Sequence, residues 1–215
     1  NLIVSFSFGW LNQSVLRFYS KNPKIINSVL IFMLLLSFNI ASIVNLFFDY
    51  EHLSKINSLL ISSFVIFSIG LFTFVKSLHQ SKLKPTKVVF LTTLQSILIL
   101  LIPVILSFNY TLSLDLLLLT TGISYFTSGM IMLCYIVPTL RITNIKNNLL
   151  IAKKWLKYGF PISLWGSMGL FLSYLDRFFI NLFFDSKYLG IYSSLNELTI
   201  KSFSLLIFPF TMALH

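Results

Sequence analysis

Apolar runs of membrane length recur along this chain and leave only short polar segments between them. A hydrocarbon core of about 30 Å is crossed by roughly 20 helical residues, so runs of this length predict transmembrane helices. Charged residues make up only 10% of the 215 positions, against about a quarter in soluble domains. The runs predict seven spans, over residues 1–16, 25–48, 56–75, 88–108, 112–138, 158–184 and 189–214.

The connections between these spans alternate in charge. The first, third and fifth connections hold twelve basic residues: Arg17, Lys21, Lys24, Lys76, Lys82, Lys84, Lys87, Arg141, Lys146, Lys153, Lys154 and Lys157. The other connections hold only two, Lys55 and Lys187. Basic residues accumulate in cytoplasmic loops, so the first span is expected to run from outside to inside. A cytoplasmic amino terminus would then require one more span upstream.

This alternation accounts for the formal net charge of +10 without a nucleic-acid partner. Cys134 is the only cysteine, so neither a disulfide framework nor a cysteine-based metal site is expected. His52, His79 and His215 are too far apart in the sequence to form a cluster with metal-ligand spacing. We therefore expect no metal and no cofactor.

Asp176 and Arg177 stand side by side within the sixth apolar run. An ionised group near the bilayer centre costs about 2.5–3.5 kcal/mol on insertion scales, so both need a partner or a role. Neighbours in sequence do not face each other on a helix, and each is expected to find its partner on another helix. Small and polar side chains share the Arg177 face: Gly159, Ser163, Gly166, Ser167, Ser173, Tyr174 and Asn181.

The seventh span supplies candidate partners, because Glu197 and Lys201 are spaced i, i+4 on one polar face. Counted from the outer ends of their spans, Arg177 and Glu197 lie at similar depth, which makes an ion pair between them plausible. Two interpretations stay open for these charges. They either line a hydrated passage or pair within a helix-packing surface, where small and polar residues allow close approach.

The first span also has a polar side, formed by Ser5, Gly9, Asn12, Gln13 and Arg17. Arg17 lies near the predicted cytoplasmic end, close enough to the interface for its guanidinium to reach the headgroups. Anchoring at the interface is therefore the alternative to any binding role for Arg17. The Ser and Thr residues of the spans are expected to be packing residues more than ligands.

Three motifs in the sixth and seventh spans suggest a family. They are Lys157-Tyr158-Gly159-Phe160-Pro161, Asp176-Arg177-Phe178 and Gly190-Ile191-Tyr192. At this spacing they resemble the oligosaccharide flippases of the multidrug/oligosaccharidyl-lipid/polysaccharide exporter superfamily, the Wzx-like polysaccharide biosynthesis proteins. The end of the first span, Leu16-Arg17-Phe18-Tyr19, resembles the second helix of that family.

The resemblance implies an all-α integral membrane protein. Its polytopic bundle of seven transmembrane helices would be part of a two-bundle, MATE-like transporter fold and cover helices two to eight. Residues 1–138 would form a first helical bundle that lacks its first helix, residues 139–157 a cytoplasmic linker between bundles, and residues 158–215 the start of a second bundle.

The function implied by the resemblance is transport across the bacterial inner (plasma) membrane, not catalysis. The cargo would be an oligosaccharide linked to a lipid diphosphate of the undecaprenyl type, flipped outward for O-antigen (lipopolysaccharide) or other surface polysaccharide biosynthesis. The predicted binding residues are Arg177, Lys201, Arg17, Tyr174 and Asn181, and the predicted ion-coupling residues are Asp176 and Glu197. The cations suit a diphosphate, and the carboxylates would pair with them or accept a proton or sodium ion.

Two other functions remain open for a chain of this pattern. A drug or metabolite exporter of the same superfamily would have the same fold, and no residue excludes it. A membrane glycosyltransferase or polymerase would need carboxylates or metal ligands on a sizeable loop. The predicted outer connections offer only Asp49, Glu51, Asp115 and Asp185.

Overall fold

The computed structural model describes residues 2–19, 26–47, 55–108, 113–134 and 145–213, some of them by their backbone alone. Every secondary-structure element in these ranges is an α-helix. The helices are α1 (Leu2–Phe18), α2 (Ile26–Phe47), α3 (Lys55–Ser81), α4 (Pro85–Ser107), α5 (Leu114–Cys134), α6 (Ile145–Phe183) and α7 (Ser186–Ala213). Each covers most of one predicted span, so the all-helical prediction is confirmed for the described chain.

Three segments are long and apolar enough to cross a membrane, counted over the side chains that the structure describes. They are Asn57–Ser81, Pro85–Ser107 and Asp115–Cys134, and a shorter apolar segment covers Phe32–Ile43. Many large apolar side chains of the same helices are exposed, among them Leu35, Leu100 and Ile105. A bilayer would cover such side chains, which agrees with the predicted membrane association.

The chain divides into two compact units, unit one (Asn1–Ser167) and unit two (Met168–His215). Helix α6 contributes its first part to unit one and its last part to unit two. The predicted linker 139–157 is outside the described residues up to residue 144. From Ile145 onward it is helical and continuous with the predicted sixth span.

Helix α3 lies at the centre of unit one and packs against α1, α2, α4 and α5. Small residues let the helices approach closely: a methyl group added at Gly70 would lie 2.9 Å from the Phe8 ring, and one at Gly129 would lie 2.8 Å from Leu71. Lipid tails are as apolar as leucine, so helices in a bilayer associate mainly through such van der Waals contact. The core of unit one is therefore built on close helix approach.

The hydroxyl stripe of α5 is satisfied within its own helix. Ser124 donates to the Thr120 carbonyl oxygen at 2.7 Å, and Ser128 donates to the Ser124 carbonyl oxygen at 2.9 Å. All three side chains are buried. A hydroxyl bonded to its own backbone can sit in an apolar core at little cost, so this stripe is a packing surface.

Helices α1 and α6 run antiparallel along a seam of small residues. A methyl group at Gly9 would lie 3.0 Å from the Ser163 Cβ, and one at Gly159 would overlap the Trp10 carbonyl oxygen. Ser14 Oγ donates to the Trp155 carbonyl oxygen at 2.6 Å, and both side chains are buried. The seam thus joins the first helix to a segment far along the chain through backbone proximity.

We expect Gly159→Ala to lower the free energy of unfolding in detergent by about 1–3 kcal/mol, because the added methyl group overpacks the seam. Gly166→Ala is the matched control on the same helix. A methyl group at Gly166 would meet nothing within 4 Å, and alanine is the better helix former. Equal stability losses for the two variants in chemical unfolding would contradict the close approach of α1 and α6.

The ends of α1 and α3 and the early part of α6 meet at one end of unit one. Lys82 Nζ lies 5.3 Å from the centroid of the Tyr19 ring, and Lys154 Nζ lies 5.5 Å from that of the Phe18 ring. The charge alternation predicts the same grouping, because it assigns Arg17, Lys82 and Lys154 to one membrane face. We call this the basic end of unit one and define it by those three residues.

Cysteine labelling tests the predicted orientation. In a Cys134→Ser background, we expect a membrane-impermeant maleimide to label Lys187→Cys in intact spheroplasts, because the segment between α6 and α7 is predicted to be outside. Lys84→Cys should be labelled only after the membrane is permeabilised. Both lysines are exposed, so access and not burial decides the result. The opposite labelling pattern would overturn the orientation.

Candidate functional site

The candidate site lies in unit two, where side chains join the end of α6 to the start of α7. The chain turns at Phe184 and Asp185. The Phe184 N–H donates to the Ile180 carbonyl oxygen at 2.9 Å, and the Tyr188 N–H donates to the Asp185 carbonyl oxygen at 3.0 Å. Because the connection is so short, α7 runs back alongside the part of α6 that carries Asp176 and Arg177.

Asp176 is held by two donors. The backbone N–H of Arg177 donates to Asp176 Oδ1 at 2.8 Å, and the hydroxyl of Tyr192 donates to Asp176 Oδ2. The Tyr192 contact connects α6 to α7. A carboxylate that is partly withdrawn from water needs such donors, because an unpaired charge away from water is costly. Asp176 therefore has a partner on another helix, as the sequence analysis predicts. That partner is the hydroxyl group of Tyr192 and not a cation.

Arg177 lies between an aromatic ring and a carboxylate. Its Cζ is 5.0 Å from the centroid of the Tyr174 ring, and its Nη1 is 3.6 Å from Glu197 Oε1 on α7. Its Nε is buried and has no hydrogen-bond partner. The side chains of Arg177 and Glu197 are 21% and 52% exposed. The guanidinium is thus positioned by a ring face and by one charge, and its buried Nε is left without a hydrogen-bond partner.

The Arg177–Glu197 pair is a loose one. Charge-assisted N–H···O⁻ bonds are about 2.7–2.9 Å long, so the observed 3.6 Å corresponds to attraction without a short hydrogen bond. Exposed pairs of this kind contribute about 0–1 kcal/mol. An anion with better geometry than Glu197 can therefore compete for Arg177. Because guanidinium groups bind phosphate through two parallel hydrogen bonds, a phosphate group is a suitable competitor.

The structure brings together three of the predicted residues in addition to Arg177. Tyr174, Asp176 and Glu197 lie around Arg177, and the expected pairing of Arg177 with Glu197 is observed. Asn181 is exposed toward the outer end of α6 and has no described contact with this group. The side chain of Lys201 is outside the described residues. The roles of all these residues in binding or ion coupling stay predictions.

Arg17 is in unit one, where its Cζ lies 4.4 Å from the centroid of the Tyr158 ring. The contact belongs to the basic end and places Arg17 on aromatic surface, as expected of an interfacial arginine. Neither cargo capture nor anchoring is tested by this geometry. Both remain predictions for Arg17.

Tyr192 is the residue of the site that sequence reasoning missed. Asp176 and Tyr192 are each eight residues from Phe184, on opposite sides of it. Because both helices rise about 1.5 Å per residue, residues equidistant from a tight turn lie at the same depth. Counting outward from the short connection would therefore have placed Tyr192 opposite Asp176.

Comparison of the chain with known protein families, with curated proteins and with solved structures finds no match.

The bond between Tyr192 and Asp176 predicts non-additive stability effects. Tyr192→Phe and Asp176→Ala should each lower the thermal stability in detergent, because each removes one partner of a cross-helix hydrogen bond. The double variant should lose clearly less than the sum of the two single losses. Tyr188→Phe is the control, since the Tyr188 side chain is 60% exposed on the same helix. Additive losses would mean that the hydrogen bond does not couple α6 to α7.

Proposed function

We propose that the protein is a membrane transporter that flips an oligosaccharide linked to a lipid diphosphate across the bacterial inner membrane. The observation that supports the proposal is Arg177, which lies in an apolar helix with a loose carboxylate partner and an unpartnered Nε. Packing alone rarely justifies an ionised group within a transmembrane segment. A guanidinium whose donors make no short hydrogen bond to its carboxylate partner suits a compact anion such as a diphosphate.

In this proposal Glu197 and the diphosphate of the cargo alternate as the anion that pairs with Arg177. Without cargo, Glu197 neutralises the guanidinium across the 3.6 Å gap. The diphosphate displaces Glu197 and is held by the donor fork, while the ring face of Tyr174 fixes the plane of the guanidinium. Release on the other side restores the ion pair. The exchange keeps Arg177 from being left as an unpaired charge at any step, which would be costly in an apolar environment.

The carboxylates have different parts in this proposal. Glu197 is 52% exposed, and once displaced it is able to take up a proton or a sodium ion. Asp176 is tied to Tyr192 and to the Arg177 backbone, so its proposed part is to fix α6 against α7 near the cargo. Ion coupling is therefore assigned mainly to Glu197, with Asp176 as the second predicted site.

Replacement of Arg177 tests the proposed function. In the native host, Arg177→Ala should reduce delivery of surface polysaccharide roughly tenfold or more, because a hydrogen-bonded charge contact is lost. Lipid-linked oligosaccharide should accumulate on the cytoplasmic face. Arg177→Lys should also be impaired, since lysine keeps the charge but not the donor fork. The measurements are the surface glycan, the sidedness of the lipid-linked intermediate and the abundance of the protein in the membrane.

Lys187→Ala is the control, because Lys187 is exposed at the start of α7 and outside the site. Loss of protein abundance in parallel with loss of glycan would make Arg177 a structural residue and contradict the assignment. Altered drug sensitivity with normal surface glycan would indicate an exporter instead. Shortened glycan chains at normal translocation would indicate a glycosyltransferase or polymerase.

A further inference from the structure

Aromatic rings hold the three cations of the basic end. Arg17 Cζ lies 4.4 Å from the centroid of the Tyr158 ring and 5.7 Å from that of Phe18. Lys154 Nζ lies 5.5 Å from the same Phe18 ring, and Lys82 Nζ lies 5.3 Å from the Tyr19 ring. Arg17 and Lys154 therefore both lie beside the Phe18 ring. Such contacts fix the direction of a cation without neutralising its charge.

Among the described residues, no carboxylate forms an ion pair with Arg17, Lys82 or Lys154. The full sequence has sixteen basic residues against six acidic ones. Like-charged groups near one another repel each other, so an anion bound from outside the protein would stabilise the basic end.

The turn after α3 carries a second, independent sign of contact with lipid. The Leu83 N–H donates to the Gln80 carbonyl oxygen at 2.9 Å, and the Lys84 N–H donates to the His79 carbonyl oxygen at 3.2 Å. This pattern ends a helix with a residue in the left-handed conformation, and Leu83 has φ 52°. Glycine normally occupies that position, since a side chain there costs about 1–2 kcal/mol.

The Leu83 side chain is also 88% exposed, although lysines flank it on both sides. An exposed leucine side chain in a strained turn is stabilised neither by water nor by packing in the core of unit one. It gains free energy where it enters the acyl layer beneath headgroups that bind the flanking lysines. Next to the turn, an open cleft of about 190 Å³ is lined by Thr86, Lys87, Phe90 and Met132. One basic and two apolar side chains in a cleft suit a phospholipid.

We propose that the basic end is a binding site for the phosphate headgroup of a resident anionic phospholipid of the cytoplasmic leaflet. Arg17 and Lys154 hold the phosphate, Lys82 adds a third cation, and Leu83 enters the acyl layer beside it. Basic pockets between transmembrane helices on the cytoplasmic side are known to bind anionic lipids. The site goes beyond the proposed transport function and does not depend on it, because its residues are all in unit one.

A matched pair of double variants of the full chain tests the site. Arg17→Gln/Lys154→Gln removes two charges from the basic end, and Lys153→Gln/Lys157→Gln removes two exposed charges from the same stretch of α6. Each protein is reconstituted in nanodiscs of phosphatidylcholine with increasing phosphatidylglycerol. The measurements are the phosphatidylglycerol retained through detergent extraction and the rise in thermal stability that this lipid gives. The salt concentration is physiological, so diffuse attraction is screened.

We expect phosphatidylglycerol binding to weaken about 25-fold in Arg17→Gln/Lys154→Gln, at roughly fivefold for each basic side chain. The control pair should stay close to the unchanged protein. Stability in pure phosphatidylcholine should be the same for all three, which separates loss of the site from misfolding. Equal weakening in the two double variants would overturn the proposal in favour of diffuse attraction.

A competing lipid phosphate identifies the source of the ligand. Undecaprenyl diphosphate, added at increasing concentration, should not displace the retained phosphatidylglycerol from the unchanged protein. Displacement at low concentration, abolished in Arg17→Gln/Lys154→Gln, would overturn the proposal and assign the basic end to cargo capture. Leu83→Ser should lower the retention of phosphatidylglycerol in the same assay, because a polar side chain does not enter the acyl layer. Unchanged retention in Leu83→Ser would remove Leu83 from the site.

Discussion

Close approach of helices at small residues is the contact on which unit one depends. In water, burial of apolar side chains would bring these helices together. Lipid tails are as apolar as the side chains, so this driving force is missing in a bilayer. The remaining driving force for association is van der Waals contact, which is closer between two helices than between a helix and lipid. Gly70, Gly129 and Gly159 supply it, because each leaves room for a neighbour that a methyl group would displace. Helix α3 approaches α1 and α2 at Gly70 and α5 at Gly129 for the same reason.

The same surroundings decide where polar groups are found. Hydroxyls such as Ser124 donate to their own helix and bring no unsatisfied group into the core. Ser14 is different, because it donates across the seam to the Trp155 carbonyl oxygen and so joins α1 to α6. In unit two, Asp176 obtains a donor from Tyr192. These three polar side chains therefore either stay local or serve as connections between helices.

Much of the fold followed from the lengths of apolar runs, because a membrane span needs little more than about 20 apolar residues. The boundaries differ from the predicted ones: α3 extends to Ser81 and α6 begins at Ile145, both past the predicted limits. Lysines ended the predicted spans there, but lysine is a good helix former and does not end a helix. The helix ends at a turn instead, as the left-handed Leu83 shows after α3.

The candidate site was predictable only in part. Arg177 and Glu197 were recognisable, since ionised groups in apolar runs are rare and their depths could be counted. The bond from Tyr192 to Asp176 was missed because the residue type alone does not single out this tyrosine; its distance from the turn, equal to that of Asp176, does. The contact of Ser14 with the Trp155 backbone could not be predicted either, because a backbone acceptor leaves no trace in the side-chain pattern. Cross-helix contacts depend on rotation and crossing angle, which hydropathy does not determine.

The cations of this chain are balanced in two different ways. Arg177 has a carboxylate from its own chain at 3.6 Å, and such internal compensation is needed where few outside anions reach. The basic end has ring faces and, over the part of the chain that the structure describes, no ion pair with a carboxylate. The full sequence has sixteen basic residues against six acidic ones. The excess lies at the predicted cytoplasmic face, where anionic headgroups are at hand. Arg177 therefore has an anion from its own chain, whereas the cations of the basic end lie where anions outside the protein can bind them.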